Sequence, residues 1–286
     1  MPTPNTFSSL GLRAELLGNL AEIDYREMTL VQAETLPRVL AGSDVLARAK
    51  TGSGKTAAFG LGVLNKLQTD AFRVQALVLC PTRELADQVA REIRRLARSL
   101  PNIKILTLCG GAPMGGQLAS LQHSPHIIVG TPGRVLKHLG KGTVDLANLQ
   151  TLVLDEADRM LDMGFSDELD AILTFVPAKR QTLLFSATYP EAIAAISDKV
   201  QRDAIIIDVT DDEQAAQITQ YWCEVTRENR CADLLGTIRE WGGALNLVFC
   251  NTKIDCADVA VYLKANGIVG LALHGDLDQK QRNEVL

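Results

Sequence analysis

A parallel β-sheet wrapped by helices, followed by the first part of a second unit of the same kind, is the α/β fold this sequence predicts. Three observations predict it. Short apolar runs at 45–49, 76–80, 103–109, 126–130, 151–155, 182–186 and 204–209 alternate with stretches of helical spacing, the pattern of strands buried on both faces and joined by helical crossovers. The first run leads into a glycine loop, and five others close on a distinctive group: Pro81 to Leu85, Gly110-Gly111, Thr131-Pro132-Gly133-Arg134, Asp155-Glu156-Ala157-Asp158 and Ser186-Ala187-Thr188. In parallel sheets chemistry gathers where strands end. After an acidic, aperiodic stretch at 210–217 the alternation starts again.

With 286 residues, 47% of them hydrophobic, the chain exceeds one ordinary domain and has ample core. A net charge of -5 creates no global field toward nucleic acid, so any such binding rests on local patches and backbone donors. The six cysteines include no C-x-x-C pair, and Cys80, Cys109 and Cys250 end apolar runs; they read as reduced core thiols of a cytosolic protein. The start, Met1-Pro2-Thr3-Pro4-Asn5, has no basic segment followed by an apolar one, and no run approaches membrane-spanning length.

In chain order, residues 10–23 carry Leu12, Leu16, Leu20 and Ile23 at helical spacing, and Thr29 is placed to cap a helix running to Leu40. Between them Tyr25 precedes Gln32 by seven residues. An aromatic face can stack on a purine, and a carboxamide offers the donor and acceptor that a purine edge needs. A surface tyrosine beside a helical glutamine is the plainer alternative until the next segment is read.

That segment is Ala49-Lys50-Thr51-Gly52-Ser53-Gly54-Lys55-Thr56, between a strand and a helix. Gly52 and Gly54 allow backbone dihedrals that bring successive N–H groups, those of Thr51 and Ser53 among them, onto phosphate oxygens at a positive helix N-terminus. Lys55 then reaches the β/γ-phosphates, and the Thr56 hydroxyl ligates Mg²⁺. Ala49 departs from the general phosphate-loop pattern, which has glycine there. Further on, Asp155 closes the apolar run Leu152-Val153-Leu154, putting a carboxylate at the tip of a buried strand, where it organises Mg²⁺ with Thr56 through a water. Glu156 beside it is the candidate to orient or deprotonate an attacking water, and Lys55, Mg²⁺ and Glu156 supply most of the positioning and charge neutralisation that phosphoryl transfer asks for. Acids enriched at a helix N-terminus by its dipole are the alternative for 155–158.

The stretch 84–100 puts Leu85, Val89, Ile93, Leu96 and Leu100 on one face, with Arg91, Arg94, Arg95 and Arg98 largely opposite. A solvated charged face is the expectation for this arginine stripe, ahead of an RNA contact. His123, His126 and His138 fit no metal spacing and are read as structural. In the second unit, strands are expected at 221–225, 245–251 and 268–274, and helices at 231–241, 255–266 and from Asp278, which is about half of a parallel domain and suggests a truncated chain.

These motifs resemble those of the DEAD-box RNA helicases of superfamily 2 across nearly the whole chain. That family's phosphate motif reads A-x-T-G-x-G-K-T, which Ala49 to Thr56 matches, and its isolated upstream aromatic and glutamine motif match Phe7 and Tyr25 to Gln32, with Asp24 where glycine is usual. The resemblance implies two RecA-like units, 1–209 and 218–286, joined by a linker at 210–217. It implies ATP and Mg²⁺ as cofactors, with adenine stacked on Tyr25 and recognised by Gln32. RNA backbone is then held by Pro81, Arg83, Gly111, Thr131, Gly133 and Arg134 and, in the second unit, by Thr252, Gln279 and Arg282, while Ser186 and Thr188 couple to Asp158. The last two family motifs, which bring an arginine finger, find no counterpart before Leu286. Segments such as Leu79 to Val89 and His274 to Leu277 look most like a bacterial subgroup acting on ribosomal RNA in large-subunit assembly. The resemblance thus implies a cytoplasmic, monomeric, RNA-stimulated ATPase that unwinds or remodels RNA. The alternative for this chain is an ATP- and RNA-binding fragment without unwinding. A phosphate-loop ATPase acting on DNA or driving a transporter lacks the Tyr25 and Gln32 pair.

Overall fold

The computed structural model describes residues 5–189, 191–209 and 219–285, and the chain divides into two compact units, Met1–Gln214 and Ala215–Leu286. The linker expected at 210–217 lies outside the described residues. A single 3₁₀ turn, Phe7–Ser9, leads into α1 (Ala14–Glu22) and α2 (Leu30–Ala41). The sheet and its crossovers follow as β1 (Val45–Arg48), α3 (Lys55–Lys66), β2 (Ala76–Leu79), α4 (Arg83–Leu96), β3 (Ile105–Leu108), α5 (Met114–Leu121), β4 (Ile127–Gly130) and α6 (Pro132–Gly140). Then come β5 (Thr151–Leu154), α7 (Ala157–Asp162), α8 (Ser166–Leu173), β6 (Gln181–Ser186), α9 (Glu191–Val200) and β7 (Ile205–Asp208). Every apolar run expected to be a strand in this unit is one.

The strands form one sheet in the order β3-β4-β2-β5-β6-β1-β7, and every neighbouring pair is parallel. Alternate side chains enter two cores. Ala76 and Val78 of β2 join Phe59, Val89 and Ile93 on one face, whereas Leu77 and Leu79 join Leu169, Ile172 and Ile193 on the other, as the period of two in a strand demands. Burying each large apolar side chain is worth about 1.5–3 kcal/mol, and both layers of helices are needed to achieve it.

Polar side chains lock the amino ends of the central strands. Asp44 accepts from Thr182 N at 2.7 Å and from Arg202 N at 2.8 Å, and Gln201 Nε2 donates to the Val45 and Thr182 carbonyls at 2.8 and 2.9 Å. The register of β1 against β6 is thereby held, and with it the offset of the loops at the opposite, carboxyl ends.

The second unit holds α10 (Arg230–Trp241), α11 (Lys253–Ala265) and α12 (Gln279–Val285). The three strands expected there do not form. An apolar run becomes a parallel strand only when a ladder partner and a covering helix layer are both present, and among the described residues these runs have no ladder partner. Leu245, Phe249 and Val269 are about nine-tenths exposed. The cysteine reading is also corrected: Cys80 and Cys109 are buried free thiols, but Cys223 is exposed and Cys231, Cys250 and Cys256 are only partly covered. Among the described residues no helix is long and apolar enough to cross a membrane.

Candidate functional site

The glycine loop leaves β1 and turns into α3, with Gly52 at φ 86° and Gly54 at φ 94°. Gly54 is required twice over: its φ is left-handed, and a Cβ there would sit 2.5 Å from Gln32 Nε2. Ser53 Oγ donates to the Lys50 carbonyl at 2.8 Å, closing the turn. Lys55 is buried, and its Nζ donates to the Ala49 carbonyl at 3.1 Å, so the ammonium folds back over the loop. Thr56 follows in the first turn of α3.

Thr29 and Gln32 form a capping box at the start of α2, with Gln32 Oε1 accepting from Thr29 N at 3.0 Å and Gln32 Nε2 donating to the Gly54 carbonyl at 3.1 Å. The glutamine thus joins the helix cap to the phosphate loop. Tyr25 lies 6.1 Å from Phe7, centroid to centroid, donates to Glu92 Oε1 at 2.8 Å, and has Arg95 over its ring at 5.3 Å. Burial, with the Glu92 carboxylate beside it, pushes the Tyr25 phenol up to about 12. Asp24 has φ 61°, the left-handed conformation that explains why glycine is usual there; aspartate is among the side chains that tolerate it.

Asp155, at the tip of β5, is 3% exposed and accepts from the Glu156 N–H at 3.1 Å. Burial pushes its carboxyl up to about 6; Lys55 pulls it down, and Glu156 raises it. Glu156 is a non-glycine residue at φ 51°, ψ 53°, a conformation costing roughly 1–2 kcal/mol. It also pairs with Arg159 at 3.2 Å. Asp158 Oδ2 accepts from Thr188 Oγ1 at 2.8 Å, Thr188 N at 2.9 Å and Ala187 N at 3.2 Å. Its partial burial opposes ionisation, yet the Thr188 hydrogen bonds prevail and hold its carboxyl below the usual range. Ser186 Oγ is buried, lies near enough to favour the Asp158 carboxylate, and closes no hydrogen bond.

Thr82 caps α4 by accepting from Leu85 N at 3.2 Å, and Arg83, the first residue of α4, lays its guanidinium against the Gly110-Gly111 turn. Gly111 has φ 78°, and a Cβ on it would meet Arg83 Nη1 at 1.9 Å. Pro81 is buried beside them, while Thr131 and Gly133, at the start of α6, are partly exposed. Arg134 Nη1 donates to the Ala112 carbonyl at 3.0 Å and to Gln117 Oε1 at 2.7 Å. Two of the stripe arginines are engaged structurally: Arg94 donates to the Ile105 carbonyl at 3.1 Å, and Arg95 covers Tyr25. His126 is structural as expected, bridging Lys104 N and the Thr69 carbonyl. In the second unit Thr252 caps α11, accepting from Asp255 N at 3.0 Å, and Gln279 and Arg282 lie on α12.

The sheet order sorts these groups. Neighbouring strands β3, β4 and β2 end at Gly110-Gly111, Thr131 to Arg134 and Pro81 to Leu85, whereas β5, β6 and β1 end at Asp155 to Asp158, Ser186 to Thr188 and the glycine loop. Glu92 and Gln117 escaped the sequence reading, because a helical glutamate or glutamine has no local signature of the partner it will meet. The fit to Mg²⁺ is chemical: a hydroxyl and a buried carboxylate whose charge burial disfavours are hard oxygen donors suited to a cation that keeps most of its water. Among the described residues no group of three or more His, Cys, Asp and Glu could hold a metal on its own.

The family model DEAD/DEAH box helicase matches residues 29–196. The chain is 57% identical to the ATP-dependent RNA helicase DbpA of Escherichia coli, over 98% of this chain and 62% of that one. It is 40% identical to the DEAD-box ATP-dependent RNA helicase CshA of Geobacillus kaustophilus, over 98% and 60%. The chain therefore spans about 60% of the length of these curated relatives. Among solved structures, a DEAD box protein from Methanococcus jannaschii superposes with a TM-score of 0.69 at 36% identity, over 98% of this chain and 76% of that one. Dbp5 of S. cerevisiae bound to RNA and ADP BeF3 superposes with a TM-score of 0.85 at 28% identity, over 98% and 72%.

Proposed function

This chain belongs to the DEAD/DEAH box helicase family, and from that premise we propose that it carries the ATP site and the first RNA-binding surface of an ATP-dependent RNA helicase. The single observation that carries this reading is the sorting of the sheet edge, with phosphate-handling groups on β5, β6 and β1 and backbone-gripping groups on β3, β4 and β2.

Adenine stacks on Tyr25, with Phe7 behind it. Gln32 uses one N–H and one lone pair internally, and the N–H and lone pair left over match the adenine edge. The N–H groups of 51–54 take the phosphates at the α3 N-terminus, and Lys55 exchanges the Ala49 carbonyl for the β/γ-phosphate oxygens. Thr56 and Asp155 would hold Mg²⁺, which supplies charge neutralisation at the transferred phosphoryl group. Glu156 accepts the proton of the attacking water, and Asp158, tied to Thr188, with Ser186 nearby, links that carboxylate group to the end of β6. RNA phosphates and 2′-hydroxyls are met by Pro81, Arg83, Gly111, Thr131, Gly133 and Arg134, groups suited to backbone and not to base edges; Thr252, Gln279 and Arg282 serve the second unit. The wording of segments such as Leu79 to Val89 and His274 to Leu277 is the ground on which we further propose ribosomal RNA in large-subunit assembly as the target, and we propose a cytoplasmic monomer.

A second reading, binding of ATP and RNA without unwinding, is favoured by the exposed apolar runs around Leu245 and Phe249. ATP hydrolysis with and without RNA, measured on this chain, on a longer one and on Glu156→Gln in each, tests both. The proposal expects RNA-stimulated hydrolysis in the longer chain that Glu156→Gln removes while ATP binding persists. Turnover within a few-fold of wild type in Glu156→Gln would remove Glu156 from the chemical step.

A further inference from the structure

We propose that Gln117, backed by His138, is a positioning residue that turns one edge of the Arg134 guanidinium toward RNA phosphate. The inference rests on the reading of Arg134 as an RNA contact. Gln117 is buried on α5, and its Oε1 accepts from Arg134 Nη1 at 2.7 Å and from His138 Nε2 at 3.0 Å. Its Nε2 donates to the Cys109 carbonyl at 2.9 Å, which fixes which end of the carboxamide faces the arginine.

A carboxamide oxygen has two lone pairs, and both are used. Because that oxygen cannot donate, His138, fully buried, carries a proton on Nε2, and its Nδ1 lies 2.9 Å from the Thr143 hydroxyl, which also reaches the His138 carbonyl at 3.0 Å. The histidine thereby holds the glutamine, and the glutamine holds the arginine.

The consequence for Arg134 is directional. Nη1 is anchored twice, at Gln117 Oε1 and at the Ala112 carbonyl, and among the described residues Nε and Nη2 have no hydrogen-bond partner. Those two nitrogens form one side of the planar fork, the side that meets a phosphate bidentately. Ala112 follows the Gly110-Gly111 turn, on which Arg83 rests. The 110–112 turn is therefore braced by two guanidinium groups, and Gln117 is the fixed point behind one of them.

The test is binding of a short, fluorescein-labelled, mixed-sequence single-stranded RNA over a range of salt, with Arg134→Ala, Gln117→Leu, His138→Phe and the Gln117→Leu/Arg134→Ala pair. Arg134→Ala is expected to weaken binding and reduce the salt slope by about 1; full affinity there would remove the underlying reading. Gln117→Leu and His138→Phe are expected to weaken binding roughly three- to tenfold, and Gln117→Leu to cost nothing further once Arg134 is absent. Wild-type affinity in Gln117→Leu, or an added loss in the double variant, overturns the inference while leaving Arg134 in place. Should the variants fail to fold, ¹⁵N NMR on the unmodified chain decides instead: a protonated Nε2 on His138 is expected, and the Nδ1–H tautomer contradicts the arrangement.

Discussion

Gln32 Nε2 donates to the Gly54 carbonyl at 3.1 Å while Gln32 Oε1 accepts the Thr29 N–H at 3.0 Å, so one side chain fastens the cap of α2 to the phosphate loop. Removing it in Gln32→Ala should cost about 1 kcal/mol through the lost capping box and also erase the preference for adenine over guanine nucleotides. Thermal unfolding reads the first effect, and displacement of labelled ADP by ATP and by GTP reads the second. An undiminished adenine preference in Gln32→Ala would sink the assignment.

Asp155 gives a pH dependence. Its carboxyl stands at about 6 in the folded chain against an ordinary 3.8, so the protonated form is favoured by folding; its stabilising contribution is full below 3.8 and is lost as pH rises through about 6. Binding of Mg²⁺ with nucleotide needs the carboxylate, so that affinity should fall as pH is lowered through about 6, with proton release on binding near that pH. Calorimetry in two buffers of different ionisation enthalpy measures the release. Asp155→Asn should abolish it, and a pH-independent wild type would contradict the reading.

Glu156 occupies left-handed backbone at φ 51°. Glycine suits that conformation and alanine does not, so Glu156→Gly should be more stable than Glu156→Ala by about 1 kcal/mol, with neither supporting hydrolysis. Urea unfolding of the pair checks it. Equal midpoints would mean that the turn relaxes without cost.

Gly111→Ala should weaken RNA binding and leave nucleotide binding intact. The added methyl meets the far end of the Arg83 side chain, and moving that end takes a guanidinium off the turn, while the φ of 78° adds roughly 1 kcal/mol of strain. Paired RNA and ADP titrations separate the two effects; unchanged RNA affinity would show that Arg83 need not rest on Gly111.

The first unit was legible in the sequence because its inner strands are buried on both faces, so runs such as Leu77-Val78-Leu79 are apolar without interruption. Lys55, Asp155 and Glu156 were legible for the same reason, being the polar residues at the ends of such runs. Strand order was not legible: nothing in residues 76–80 says that β2 lies between β4 and β5, and that order is what sorts the edge into two halves. Gln117 and Glu92 were invisible because their partners, Arg134 and Tyr25, are 17 and 67 residues away. The second unit misled, since Leu245 and Phe249 carry strand chemistry and have no ladder partner among the described residues.

The central claim, a sheet edge divided between nucleotide and RNA, is tested most directly by crossed titrations of Lys55→Ala and Arg134→Ala, with nucleotide affinity measured without RNA and RNA affinity without nucleotide. Lys55 lies at the end of β1 and Arg134 at the end of β4, separated along the sheet by β2, β5 and β6. Lys55→Ala is expected to lose nucleotide binding at least tenfold and keep RNA affinity, and Arg134→Ala to do the reverse. Loss of both ligands in either variant, in a chain whose unfolding midpoint is unchanged, would contradict it.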